Sequence, residues 1–180
     1  MKQTSVTNRI EAEAAIASLH RRIRLLLILF TIGLAISGIT AFPLVTELNL
    51  LNRLLGPGTM AATQWPDLSQ WVSHVHQGLT EMDAKYPFIF YGTDWLAFAH
   101  LVIAVAFWGP IKDAVKNVWV IEFGMIACLM IIPLALICGS IRGIPFYWRL
   151  IDCSFCIGGL IPLGLARKYV QQVIELQKKA

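Results

Sequence analysis

The 180-residue sequence is poor in charge. Charged residues make up 14% of the chain, whereas hydrophobic residues make up 57%. Average soluble domains carry about 25% charged and about 45–50% apolar residues. The composition therefore excludes a disordered chain and an ordinary soluble domain.

The motifs of several enzyme classes are also missing. The sequence has no P-loop, no G-x-S-x-G, no H-E-x-x-H and no dinucleotide-binding motif. It has no internal repeat and no low-complexity segment. Few ionisable residues interrupt its apolar runs, which argues against an ion-driven pump.

Four apolar runs are long enough to cross a membrane. A hydrocarbon core of about 30 Å needs about 17–25 helical residues. The runs cover residues 25–42, 95–111, 118–138 and 151–166. We therefore predict an all-α fold, a four-helix transmembrane bundle over residues 25–166. A cleavable signal peptide would be the alternative for the first run, but its apolar residues continue to Phe42, which favours an uncleaved anchor.

Basic residues are distributed unevenly between the two sides of these runs. Residues 1–24, the loop between the second and third runs, and the tail at 167–180 together hold 11 of the 15 Lys and Arg residues. The positive-inside rule then places both termini in the cytoplasm of a multi-pass protein of the bacterial inner (plasma) membrane. The net charge of +4 is explained by anionic headgroups of the lipid bilayer, without a nucleic-acid partner.

The connection at residues 46–94 is too long for a loop without structure. Gly56-Pro57-Gly58 breaks it, and Pro66-Asp67 suits the first turn of a helix. Apolar side chains then recur at helical spacing up to Tyr86-Pro87. The stripe consists of Leu68, Trp71, Val72, Val75, Leu79 and Met82. We predict an external cap containing one amphipathic helix, followed by aromatic residues at the membrane interface.

Polar residues concentrate near the outer ends of the predicted spans. The candidate ligand-binding residues are Asp94, His100, Arg142, Arg149 and Asp152. Ionisable groups in spans are costly, so such a cluster indicates a site. Our leading interpretation is a non-catalytic membrane protein that binds a partner or a small ligand there. The structural alternative is an ion-pair cluster, in which Arg149 and Asp152 pair at i, i+3.

Three histidines are candidate metal ligands: His74, His76 and His100. On a helix the rings of His74 and His76 point about 160° apart, so one ion would need an extended segment or a contribution from His100. A b-type haem would use His100, the single histidine within a span, as an axial ligand. A metal hydrolase at these histidines is a further hypothesis.

The four cysteines lie in or beside the spans, and none lies in residues 46–94. Cys153 and Cys156 form a C-x-x-C in the fourth run. Together with the four-span layout and the long segment after the first span, this motif resembles the vitamin K epoxide reductase type of membrane thiol oxidoreductase. The resemblance implies a catalytic, quinone-facing pair at Cys153 and Cys156. That family also uses a cysteine pair in its external loop, so direct thiol exchange with a partner would be required here. Whether the protein is an enzyme stays open.

Two further patterns bear on assembly. The stretches Tyr91-Gly92-Thr93-Asp94-Trp95 and 142–152 resemble uncharacterised four-span bacterial membrane proteins, which supports the topology and implies no activity. Small residues form a face around Gly33 and Gly38 in the first run and around Gly158, Gly159 and Gly164 in the fourth. Such faces suit close helix packing, either within the bundle or with a second copy or another membrane-complex partner.

Overall fold

A computed structural model describes the backbone of residues 2–179 and the side chains of residues 10–178. Every regular element in that part of the chain is helical. The helices are α1 (Lys2–Ala41), α2 (Leu44–Leu55), α3 (Met60–Gln64), α4 (Pro66–Lys85), α5 (Phe90–Ala106), α6 (Trp108–Lys112), α7 (Val118–Pro133), α8 (Gly139–Ile141) and α9 (Phe146–Lys179). A 3-10 turn, Pro87–Ile89, precedes α5, and a π-helical turn, Leu134–Cys138, joins α7 to α8.

Four helical segments are long and apolar enough to cross a membrane, as predicted. They are Ile10–Ala41, Pro87–Lys112, Val118–Ile141 and Phe146–Lys178. Each is longer than the apolar run that predicted it, because helical hydrogen bonding continues into the polar flanks. Most of their large apolar side chains are exposed, including Leu29 at 65% and Val105 at 73%. An apolar surface all around the helices is what a lipid environment requires.

The chain divides into two compact units. The terminal unit consists of Met1–Gly33 and Ala104–Ala180, and the central unit consists of Leu34–Ile103. Both boundaries fall within helices, so α1 and α5 contribute residues to each unit.

The core of the terminal unit lies mainly between α1, α7 and α9. Its most deeply buried side chains include Leu27, Phe107 and Leu163, each fully buried. The buried residues of α9 are Cys156, Gly159, Pro162, Leu163, Ala166, Val170 and Val173, and apart from Pro162 they recur at alternating spacings of three and four. This is the 3.5-residue period of helices packed nearly along one another. The packing continues beyond residue 166, into what the sequence predicted as a cytoplasmic tail.

Glycines permit the closest approaches in this core. A Cβ at Gly124 would lie 2.7 Å from the Phe107 ring and 2.9 Å from Leu163 Cδ1. A Cβ at Gly159 would lie 2.4 Å from Cys128 Sγ. The small residues of α7 and α9 therefore serve packing within the chain at these two positions.

Prolines behave differently in two places. Pro133 ends α7, and the π-helical turn follows it at once, which is a recognised way of accommodating a missing N–H donor. In the second span the regular helix breaks at Phe107, and Gly109 and Pro110 lie in the first turn of α6. A proline is tolerated there because first-turn N–H groups have no intrahelical acceptor.

The central unit contains three helices between Phe42 and Tyr86 instead of the single predicted one. Helix α4 begins at Pro66 and ends at Lys85, as expected. Its apolar stripe packs against α2 and α3, and Val72 is 1% exposed. Two side-chain hydrogen bonds join α2 to α4. Ser73 Oγ donates to Asn52 Oδ1 at 3.0 Å, and the His76 ring is 2.6 Å from Asn49 Oδ1.

Candidate functional site

Arg149, in the first turn of α9, is held by three local features. Its Nη1 donates to the carbonyl oxygen of Leu136 at 3.3 Å, inside the π-helical turn. Its aliphatic stem lies on Gly139, where a Cβ would be 2.6 Å from Arg149 Cδ. Its guanidinium lies 5.3 Å from the centroid of the Phe146 ring. The side chain is therefore fixed by the protein before any ligand arrives.

The connection between α8 and α9 explains how Arg149 reaches that position. The N–H of Ile144 donates to Gly139 O at 2.9 Å, and the N–H of Gly143 donates to Ser140 O at 3.2 Å. Gly143 has a positive φ of 69°. This pair of hydrogen bonds with a left-handed glycine is a Schellman motif, which ends α8 sharply. Because the turn is tight, the first turn of α9 lies beside the π-helical turn.

The guanidinium of Arg149 is not fully satisfied. Within the described part of the chain, its Nε is buried and has no hydrogen-bond acceptor. Leaving a buried donor unpaired costs about 1–3 kcal/mol, and more for a charged group. An acceptor oxygen supplied by another molecule would remove that cost.

Asp152 and Arg142 lie near Arg149 in sequence but do not pair with it. Asp152 is half-buried one turn further along α9, and Arg142 is exposed directly after α8. Among the described residues, no ion pair joins Arg149 to Asp152, so the i, i+3 pair predicted as the structural alternative is absent. Helical side chains lean toward the N-terminus, and Arg149 accordingly reaches Phe146, at i−3, rather than i+3.

The other two predicted ligand-binding residues belong to the central unit. Asp94 and His100 are half-buried on α5, six residues apart, which is about 9 Å along the helix. His100 Nδ1 is 2.8 Å from the carbonyl oxygen of Leu96. Because a carbonyl only accepts, Nδ1 carries the hydrogen of this bond. The structure thus places Arg142, Arg149 and Asp152 in one unit, and Asp94 and His100 in the other.

The remaining histidines have local partners. The His74 ring lies 5.8 Å from the Trp71 ring, and His76 contacts Asn49 as described above. Over the residues that the structure describes, no three His, Cys, Asp or Glu side chains lie close enough to hold a metal ion. This geometry gives no such group at His74, His76 and His100, and haem binding at His100 stays a prediction.

All four cysteines are free thiols. The two members of the C-x-x-C differ, because Cys153 is half-buried and Cys156 is 2% exposed. Cys128, on α7, is also buried. A partner's disulfide could reach Cys153 more readily than Cys156, so thiol exchange at this motif would have to begin at Cys153. The redox activity of the pair stays a prediction.

One interhelical ion pair escaped the sequence analysis. Arg167 Nε donates to Glu122 Oε1 at 2.7 Å, joining α9 to α7. Lys116, the basic residue closest to Glu122 in sequence, instead pairs with Asp113, with Lys116 Nζ 3.5 Å from Asp113 Oδ2. The positions of the two residues could have predicted the pair. Glu122 lies one turn into α7 and Arg167 directly follows the fourth apolar run, so the two residues lie at the same level when α7 and α9 pack antiparallel.

Comparison with known proteins adds no assignment: no protein-family model matches the chain, and no curated protein or solved structure is significantly similar to it.

Proposed function

We propose that the protein is an integral membrane protein of the plasma membrane that binds a small anionic ligand without transforming it. The binding site is the arginine site, defined as Arg142, Arg149 and Asp152. The observation that carries the proposal is the buried, unpaired Nε of Arg149 on a side chain that the protein already holds in place.

The chemistry of the guanidinium selects the ligand class. Arginine presents its N–H donors in a planar fork that matches carboxylate and phosphate oxygens. Fixing the side chain beforehand removes part of the entropic cost of binding. An ionisable residue in a segment apolar enough to span a membrane is costly to retain without a use. These three points favour a carboxylate or a phosphate group at Arg149.

The neighbours of Arg149 define the rest of the site. Residues three apart on a helix have Cβ atoms about 5–6 Å from each other, so one small ligand can contact both Arg149 and Asp152. Asp152 would accept a hydrogen bond from a donor group on the ligand. Arg142 adds a second positive charge at the end of α8. By the distribution of basic residues, this end of the helices faces the outside of the cell. Asp94 and His100, in the central unit, stay a separate prediction of ligand binding and are not part of the arginine site.

The test uses the detergent-purified full-length protein and two probes, inorganic phosphate and acetate. A ligand that binds only the folded state raises its stability, by about 2.7 kcal/mol at a hundred times the Kd. We expect at least one probe to raise the midpoint of thermal unfolding of the wild type. The rise should be lost in Arg149→Gln and reduced in Arg149→Lys, which keeps the charge but not the fork.

Arg53→Gln is the matched control, because it removes one exposed positive charge from α2, outside the arginine site. It should respond to the probes like the wild type. An equal response in Arg149→Gln and wild type would overturn the proposal. Far-UV circular dichroism of each variant shows whether the helices are intact, so that a lost response is not mistaken for unfolding.

A further inference from the structure

Packing in the terminal unit determines which residues share one level along the helices. The rings of Phe30 and Phe107 lie 4.8 Å apart, and Phe107 and Leu163 meet at Gly124. These contacts form one layer across α1, α7 and α9. The Glu122–Arg167 ion pair lies beyond it, toward the start of α7 and the end of α9.

Basic side chains gather at this same end. Arg24 precedes Phe30 by six residues, which is about 9 Å along α1. Lys168 follows Leu163 by five residues on α9, and the connection from α6 to α7 precedes Gly124, so both lie at a similar distance on this same side of the layer. The basic belt is defined as six exposed residues: Arg21, Arg22, Arg24, Lys112, Lys116 and Lys168.

Among residues 10–178, most of the belt has no anionic partner. The two carboxylates at this level are already engaged, Asp113 with Lys116 and Glu122 with Arg167. Over the described side chains, none of the other five belt residues forms an ion pair. Their charges are therefore available to an external anion.

The surface next to the belt is apolar and carries tryptophans. Leu25 and Leu29, directly beyond Arg24 on α1, are 61% and 65% exposed. Trp108 and Trp119 are 60% and 63% exposed, and Lys112 Nζ lies 5.3 Å from the Trp108 ring centroid. Tryptophan favours the level of lipid headgroups, where one edge of the ring is wet and the rest is apolar.

We propose that the basic belt binds anionic phospholipid, with the headgroup phosphate on the belt and the acyl chains on the apolar face that begins at Leu25. A soluble anion would use the charges but not the apolar face. A nucleic acid would bind the charges but would leave the exposed leucines and tryptophans without an apolar partner. This inference is independent of the arginine site, which lies at the opposite end of α9.

The experiment compares two lipids, phosphatidylglycerol and phosphatidylcholine, added to the detergent-purified full-length protein, with bound lipid counted by native mass spectrometry. The belt variant is Arg21→Gln with Arg22→Gln and Arg24→Gln. The matched control is Arg53→Gln with Lys85→Gln and Lys178→Gln, which removes the same number of positive charges elsewhere. Each basic residue near an anionic surface contributes about 1 kcal/mol, so we expect the belt variant to lose about tenfold or more of the preference for phosphatidylglycerol.

The control should keep that preference, and high salt should weaken it in the wild type. Equal loss in the control and belt variants would show an effect of net charge alone and would overturn the proposal. Retention of the preference in the belt variant would overturn it as well. Inorganic phosphate forms the last arm: if it displaces phosphatidylglycerol at equal concentration, the belt binds a soluble anion rather than lipid. Lys112→Gln with Lys168→Gln, on other elements, repeats the test if the α1 variant fails to fold.

Discussion

Close packing at single glycines makes the stability of this protein sensitive to the addition of one methyl group. At Gly159 the backbone of α9 lies against the sulfur of Cys128, and a Cβ there would be 2.4 Å from Sγ. Overfilling a well-packed core costs about 1–3 kcal/mol. We expect Gly159→Ala to lower the free energy of unfolding by that amount, measured by denaturant titration in detergent.

Two companion variants separate this clash from a general effect of alanine. Gly158→Ala places a Cβ in open space and should be neutral or slightly stabilising, because alanine is the better helix former. Cys128→Ala removes Sγ and leaves the Cys128 Cβ 3.8 Å from the new methyl, so it should relieve part of the defect of Gly159→Ala. Additive losses in the double variant would contradict the contact as the cause.

Residue types were more predictable than side-chain directions. The sequence identified Arg149 and Asp152 as polar residues in an apolar setting, because charge in such a run is conspicuous. It did not show that Arg149 bonds the Leu136 carbonyl, since that bond depends on a π-helical turn thirteen residues earlier. The Glu122–Arg167 pair, 45 residues apart, likewise depends on the register of two helices.

At the scale of elements, helix ends with local signals were predicted and those without were not. Pro66 and Tyr86-Pro87 bound α4 because proline fixes φ and lacks an N–H donor. Helix α2 was missed because its sequence continues the apolar character of the first run, and a break of two residues, Phe42-Pro43, separates it from α1.

The loop between α6 and α7 supports a prediction on pH. The backbone N–H of Lys116 donates to Asp113 Oδ1 at 3.0 Å. This hydrogen bond holds the pKa of the Asp113 carboxyl below its usual value of 3.8; burial opposes the shift to a smaller extent, and the positive charge of Lys116 adds to it. A carboxyl with a lowered folded-state pKa stabilises the fold above its unfolded pKa, and the benefit is lost as the pH falls through the folded value.

Asp113→Asn tests this, because asparagine keeps an acceptor oxygen and removes the charge. Wild type should unfold at a higher temperature than the variant at about pH 7, and the difference should shrink toward zero as the pH falls below about 3. The measurement is thermal unfolding of both proteins across that range. The stabilisation by the Asp113 charge is small because the loop is exposed. A difference in unfolding temperature that stays constant with pH would contradict the lowered pKa of Asp113.

At the scale of the whole molecule, composition was enough to predict an all-helical chain with four segments able to cross a membrane. It could not predict that the chain packs as two units, because the boundaries fall inside continuous helices and leave no mark in the sequence. The orientation in the membrane is predicted by the basic residues, because Lys and Arg are more numerous on one side of the spans than on the other. That prediction does not depend on any contact.

That orientation leads to the last prediction. The distribution of basic residues predicts cytoplasmic termini, and it therefore predicts Gln77 on α4 outside the cell and Lys178 near the end of α9 inside; both side chains are exposed. In a background with the four native cysteines replaced by alanine, Gln77→Cys should react with a membrane-impermeant maleimide in intact cells. Lys178→Cys should react only after the cells are permeabilised, because the positive flanks of the first and fourth spans hold that end at the anionic inner leaflet. The reversed pattern would place the basic belt outside the cell and the arginine site inside it. Labelling of both positions in intact cells would mean that the number of crossings between them is even rather than odd.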